Sequence, residues 1–280
     1  MLWGLVLLVM ASLCWATLDV QRKYLVQKMN PLTLTAALCF GQALLFLFAY
    51  GAVGFPIPDA GYWMYGVLCS LIALVAALGL NWALRLSPLS QCIPMLCLTP
   101  AFAVIHGYLL LGETLNIPQL VGLVFSAIGA AGFGLEKGWS RAKGAYMMMG
   151  VAFLFSLTMA LDKVALQYAA VTAHALFQAA LIAVLLSLVM VLLKQGGDAR
   201  RVWDNKGLYS GAVLVFALAV GFQLEAVKYL DVSLLEALKR CIGLTSAVVA
   251  GYWLFKEPIT SRKVASAALL AVGVCIVLLA

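Results

Sequence analysis

Apolar residues along this chain run in blocks of about twenty, broken by short clusters that hold most of the prolines and charges. A helix rises 1.5 Å per residue, so about 20 apolar residues cross the hydrocarbon layer of a bilayer. Ten segments reach that length: 2–24, 31–51, 62–85, 88–111, 117–135, 143–168, 171–194, 207–228, 232–255 and 260–279. Pro31, Pro56, Pro58, Pro88, Pro118 and Pro258 sit at or near the breaks, where helix starts and turns tolerate a missing N–H. The longest polar stretch, KQGGDARRVWDNKG at 194–207, leaves no room for a soluble domain. The pattern predicts an all-α polytopic membrane protein with ten transmembrane helices. Residues 1–18 read as part of the first membrane helix and not as a signal peptide. They lack a basic leader and a small-residue cleavage site followed by a soluble domain.

Composition agrees. The 280 residues are 65% hydrophobic and 10% charged, with a mean hydropathy of +1.06, whereas a soluble domain has roughly a quarter charged residues. The formal charge of +7 falls between apolar runs, where it reads as a topology signal and not as a nucleic-acid surface. The seven cysteines all lie in apolar runs without a CxxC pair, which predicts packing and neither metal nor disulfide chemistry.

An internal repeat changes the picture. Shifted by 144 residues, NWALRLSPLSQCIPMLCLTPAFAVIHGYLLLGETLN (81–116) falls without a gap on EAVKYLDVSLLEALKRCIGLTSAVVAGYWLFKEPIT (225–260). Ala103 then lies over Ala247, Gly107 over Gly251, Tyr108 over Tyr252, Glu113 over Glu257 and Gly129 over Gly273. The halves, 1–137 and 138–280, hold five spans each. Five is odd, so the second copy is expected to run through the membrane upside down. Numbered from the N-terminus, the odd loops hold Arg22, Lys23, Lys28, Arg85, Lys137, Arg141, Lys143, Lys194, Arg200, Arg201, Lys206, Lys256, Arg262 and Lys263; the even loops hold only Lys163 and Lys228. The positive-inside rule puts the odd loops in the cytoplasm and both termini outside. Two inverted five-helix repeats, with a site at their interface, are the organisation of many secondary transporters.

With LGETLN (111–116) and FKEPIT (255–260) closing the fourth helix of each half, the chain resembles the EamA type of the drug/metabolite transporter (DMT) superfamily over its whole length. The resemblance implies a multi-pass carrier of the inner cell membrane that moves small organic metabolites by alternating access. It also implies a central cavity lined by the first, third, fourth, sixth, eighth and ninth helices. Family members are often described with both termini in the cytoplasm; the charges here predict the opposite.

Glu236, Lys239 and Arg240 interrupt the ninth span. With Gly243, Ala247 and Gly251 they fall on one helix face, at spacings of three and four. The small residues predict a close-packing ridge, and the cost of a charge in lipid predicts that the face points into the bundle. Glu236 precedes Arg240 by four residues, so a closed structural ion pair is one reading. The other is a substrate site, since one carboxylate cannot neutralise both cations, and the surplus would attract a carboxylate or phosphate.

Trp15, Asn81, Trp82, Gln91 and Gln178, with Gln42 and Gln223, are further substrate-binding candidates because aromatic and amide groups suit organic solutes. Asp19, Asp162, Glu225 and His106 are candidates for carrying a coupling proton. Asp19, Asn81, Asp162 and Glu225 also fit interfacial anchors, and His106 a packing residue. His174 has no ligand-like spacing to another His, Cys or acid, so no metal site is expected. Trp63, Trp139, Trp203 and Trp253 fit interfacial belts.

The chain lacks GxxxxGK[ST], HExxH and GxSxG. The expectation is a secondary transporter, not an enzyme, without a cofactor. Its partners would be a small-molecule substrate, anionic or zwitterionic, membrane lipids and a coupling proton or ion, with no nucleic acid, in a monomer or homodimer. The alternative is a flippase for a lipid-linked anion such as a polyprenyl-phosphate sugar.

Overall fold

The computed structural model describes residues 2–114, 116–134, 143–194, 199–254 and 260–279. Twelve helices follow one another: α1 (Leu2–Lys28), α2 (Pro31–Ala52), α3 (Tyr62–Leu86), α4 (Leu89–Met95), α5 (Thr99–Leu111), α6 (Ile117–Gly134), α7 (Lys143–Ala165), α8 (Val171–Leu192), α9 (Ala199–Asp204), α10 (Lys206–Ala226), α11 (Val232–Trp253) and α12 (Ser261–Leu279). No strand occurs among the described residues. Six helices among them are long and apolar enough to cross a membrane: α1, α2, α3, α8, α10 and the Tyr146–Ala165 part of α7. Phe48, Val191 and Leu192 are largely exposed on the outside, as lipid contact requires. The protein is a multi-pass membrane protein.

Local chemistry sets the helix ends. Asn30 caps α2 by accepting a hydrogen bond from the Leu32 N–H at 3.0 Å, with Pro31 at the first helical position. Gly112 ends α5 in the left-handed region at φ 67°, where a residue without Cβ is unstrained. The expected fourth span is not one helix. It is α4, a 3-10 turn at Leu96–Leu98, and α5. Pro100 has no N–H to donate to the Leu96 carbonyl. That carbonyl instead accepts from the Thr99 hydroxyl and the Thr99 N–H. The polar stretch before the eighth span likewise holds a short helix, α9, that the hydrophobic pattern did not foresee.

The main packing partners cross the two halves: α1 lies on α10 and α11, α7 on α3 and α5, α2 on α8, and α6 on α12. Exchanging first-half helices for their second-half counterparts leaves this set unchanged. Lys23, near the end of α1, donates to the carbonyls of Leu84 at 2.7 Å and Ser87 at 2.8 Å, so α1 and α3 end on the same face. The start of α7 meets that end of α3, for a Cβ on Gly144 would come 2.7 Å from the Ala83 oxygen. The end of α7 meets the start of α3, where Cys69 donates to Asp162. Hence α7 runs opposite to α1, its counterpart under the 144-residue shift.

The small-residue ridge on α11 is only partly seen. A Cβ on Gly243 would meet nothing within 4 Å, so that glycine makes no close helix contact; the side-chain positions of Ala247 and Gly251 lie outside the described residues. On α5, Gly107 leaves room for Glu113 of its own following loop, whose Oε2 would lie 2.6 Å from an added Cβ.

Candidate functional site

Between the halves lies a partly open cavity with a volume of about 100 Å³. Residues of α1, α2, α3, α7, α8, α10 and α11 line it, with Leu96 from the break in the fourth span. The second and seventh spans, absent from the lining that the family resemblance implies, contribute Cys39 and Gln42, and Gln178, Ala179 and Ile182.

One wall is cationic. Lys239 and Arg240 of α11 line the cavity, and Glu236 behind them is fully buried. Glu236 Oε1 accepts from Lys239 Nζ, and Oε2 accepts from Arg240 Nε at 3.2 Å and Nη2 at 3.0 Å. Lys239 also donates to Gln223 Oε1 of α10 at 3.0 Å. The ion pair is closed, yet one carboxylate serves two cations, so the group keeps a formal surplus of one positive charge at the cavity wall.

A further cation comes from α1. The loop-charge reading of Arg22 is corrected here: the residue is 3% exposed and lines the cavity. Lys23 is buried beside it. The Arg22 guanidinium carbon lies 5.4 Å from the Trp15 ring centroid and 5.0 Å from that of Phe216. Its nearest carboxylate oxygen, Asp19 Oδ1, is 3.7 Å from Nη1, too far for a hydrogen bond. Arg22 Nε, Arg22 Nη1 and Trp15 Nε1 are buried donors with no hydrogen-bond partner. The signal was present in the sequence: Trp15, Asp19 and Arg22 are spaced four and three apart, on one helix face.

Another part of the lining is a hydrogen-bonded cluster around Asp162 of α7. Asp162 Oδ1 accepts from His174 Nε2 at 2.9 Å, Gln178 Nε2 at 3.1 Å and Cys69 Sγ at 2.8 Å. On the far side of the imidazole, His174 Nδ1 lies 3.0 Å from the Tyr62 hydroxyl. Asp162 and Gln178 line the cavity. Cys69, Asp162 and His174 are all buried, and one donor atom of each lies within 4.8 Å of the others. Sequence spacing missed this group because its members come from three helices.

Other candidates fall elsewhere. Trp82 is exposed and lies 6.0 Å from the Arg85 guanidinium, off the cavity. Glu225 is half-buried, pairs with Lys228 at 2.9 Å and does not line the cavity. Asn81 is buried but donates to Thr35 Oγ1 at 2.8 Å, tying α3 to α2, and does not line the cavity. His106 Nδ1 lies 2.7 Å from Ser156 Oγ, with its ring edge-on to Phe153; it packs α5 on α7. The Gln91 side chain lies outside the described residues.

A model of the EamA-like transporter family matches residues 2–135 and again residues 142–279. An uncharacterized protein of Methanocaldococcus jannaschii is 32% identical over 73 residues, 26% of this chain and 53% of that protein; the chain thus spans about half the length of this curated relative. A solved crystal structure matches 96% of this chain and 98% of its own, with a TM-score of 0.72 at 19% identity, a likeness of fold.

Proposed function

The chain belongs to the EamA-like transporter family, whose members are membrane transporters of small molecules, and on that premise we propose a secondary transporter for a small anionic or zwitterionic organic metabolite. The observation that carries this reading is the set of unpartnered donors on Trp15 and Arg22. Nearly all buried polar groups are hydrogen-bonded, and these three N–H groups belong to side chains that line a cavity. Donors without acceptors, beside the surplus charge of Lys239 and Arg240, suit a carboxylate or phosphate. Asp19 and Asp162 offer places for an amino group on the same solute.

Two inverted five-span repeats, divided near residue 137, would rock about this site in the inner membrane and expose it to each side in turn. The opposite directions of α1 and α7 and the exchange of packing partners between halves support that arrangement. The basic odd loops support cytoplasmic placement for those loops, although Arg22 and Lys23 lie buried and drop out of the comparison.

The test begins with a melting-temperature screen of the purified chain against a metabolite panel, because a ligand that binds the folded state raises the melting temperature. Flux of the hit into proteoliposomes follows. Arg22→Gln and Arg240→Ala are expected to fold and to lose flux at least tenfold, the size of one lost charge-assisted hydrogen bond, about 1.4 kcal/mol. Full flux in both variants would remove the cationic wall from the site. Lipid scrambling without solute flux would favour a lipid-linked anion instead.

A further inference from the structure

We propose that His174, held between Tyr62 and Asp162, is the site at which this transporter binds a coupling proton. The proposal rests on the transporter reading above and adds the ion that would drive it. Its geometry is a continuous hydrogen-bonded row from the buried Tyr62 hydroxyl to the cavity. Tyr62 stands in the first turn of α3, and its N–H bonds to the carbonyl of Asp59 in the exposed loop before that helix. Its hydroxyl meets His174 Nδ1, His174 Nε2 meets Asp162 Oδ1, and Asp162 lines the cavity.

Charge fixes the hydrogens. An ionised Asp162 only accepts, so His174 carries its proton on Nε2 and leaves Nδ1 to accept from Tyr62. A proton arriving at the Tyr62 oxygen can then displace the phenolic proton onto Nδ1. Tyr62 stays neutral, His174 becomes imidazolium beside the Asp162 carboxylate, and the row has gained one proton and one positive charge. Passing the Nε2 proton to Oδ1 leaves a neutral imidazole and a neutral acid facing the cavity. Histidine is the side chain suited to this exchange near neutral pH.

The contacts fit shared hydrogens better than a metal. Around a tetrahedral ion with bonds of about 2.0–2.3 Å, ligand atoms sit roughly 3.3–3.8 Å apart; here Asp162 Oδ1 lies 2.8 Å from Cys69 Sγ and 2.9 Å from His174 Nε2. The other groups facing the pair are accounted for. Cys69 comes from α3, and Lys239 of α11 lines the same cavity with Glu236 as its own partner. Asp19 and Arg22 of α1 and Cys39 of α2 lie on the same cavity. His106 of α5 is engaged with Ser156, earlier on α7, and Lys163 pairs with Glu113.

The location gives the coupling a sign. Protonation cancels the one negative charge that this wall presents, so it strengthens the attraction of the chamber for an anionic solute. By linkage, the solute strengthens proton binding equally. Proton and anion are therefore expected to travel together.

The chain has two histidines, His106 and His174, so ring-nitrogen magnetic resonance of the full, histidine-labelled protein in lipid nanodiscs resolves each, with His106→Gln as the assignment control. The His174 ring is expected to convert from the Nε2–H tautomer to imidazolium or to the Nδ1–H tautomer as the sample is acidified. A ring that holds one form throughout overturns the proposal. In Asp162→Asn, which keeps the acceptor but not the charge, the ring should stop responding to pH; a wild-type response removes Asp162 from the site. No solute is present, so a failure here leaves the transporter reading intact, while absence of solute flux in the wild type sinks that reading and not the titration. With the solute in hand, a pH step across proteoliposomes should drive accumulation by the wild type and none by His174→Gln; equal accumulation overturns the coupling.

Discussion

Lys163, near the end of α7, places its Nζ 2.7 Å from Glu113 Oε1, in the loop that follows α5. The same Nζ donates to the Leu230 carbonyl at 3.0 Å, and the Glu113 carboxylate accepts from the Val232 N–H that begins α11. One ion pair thus gathers four helix ends from both halves. Lys23 has the corresponding place in the first half, donating to the carbonyls that end α3. Lys163→Ala is expected to destabilise the protein by roughly 1–3 kcal/mol, the cost of stranding a partly buried carboxylate. A thermal melt checks it, and an unchanged melting temperature would show that the pair is ornamental.

Glu236 is the anchor of the cationic wall. Removing it leaves the buried Lys239 and the partly buried Arg240 adjacent and without their carboxylate. Glu236→Gln is therefore expected to cost about 3–5 kcal/mol. Adding Lys239→Met should recover part of that loss, because only one cation then lacks a partner. A double-mutant cycle read by thermal melts measures the recovery, and strict additivity would contradict it.

The α6–α12 contact depends on close backbone approach. A Cβ on Gly273 would lie 2.5 Å from the Gly122 carbonyl oxygen and 2.6 Å from the Ser126 nitrogen. Gly273→Ala is expected to cost about 1–3 kcal/mol through overpacking. Gly150→Ala, where a Cβ meets nothing within 4 Å, should be neutral or stabilise by up to about 1 kcal/mol through helix propensity. Equal melting temperatures for the two variants would refute the distinction.

Asn81 and Trp82 are sequence neighbours with opposite expected behaviour. Asn81→Ala breaks the bond to Thr35 and should lower stability by about 1 kcal/mol. Trp82→Ala removes an outward ring and should leave solute flux and substrate affinity at wild-type values. A flux assay on the folded Trp82 variant decides whether that ring belongs to the site.

Much of the fold was legible because insertion into lipid is a one-dimensional problem. A segment must be apolar and about 20 residues long, and 31–51 and 171–194 meet that condition almost residue for residue with α2 and α8. The break in the fourth span was less visible. Pro100 was in plain view, but whether a proline kinks a helix, starts one or diverts a carbonyl to Thr99 depends on local backbone geometry. Trp15, Gln178, Lys239 and Arg240 were named from residue type and do line the cavity. Trp82, Glu225 and Asn81 have equally suitable chemistry and do not, since residue type says nothing about which way a helix is turned.

The sequence by itself determined the membrane class, the two related halves and the shared face of Glu236, Lys239 and Arg240, because hydrophobic length, a 144-residue shift and helical spacing are properties of the chain read in order. Only the tertiary structure decided that Arg22 enters a cavity without a hydrogen-bonding acceptor, and that Tyr62, His174, Asp162 and Cys69 form one connected group. Those residues come from separate helices, and the rotation of one helix against another is set by side-chain packing across the bundle, which no local pattern encodes.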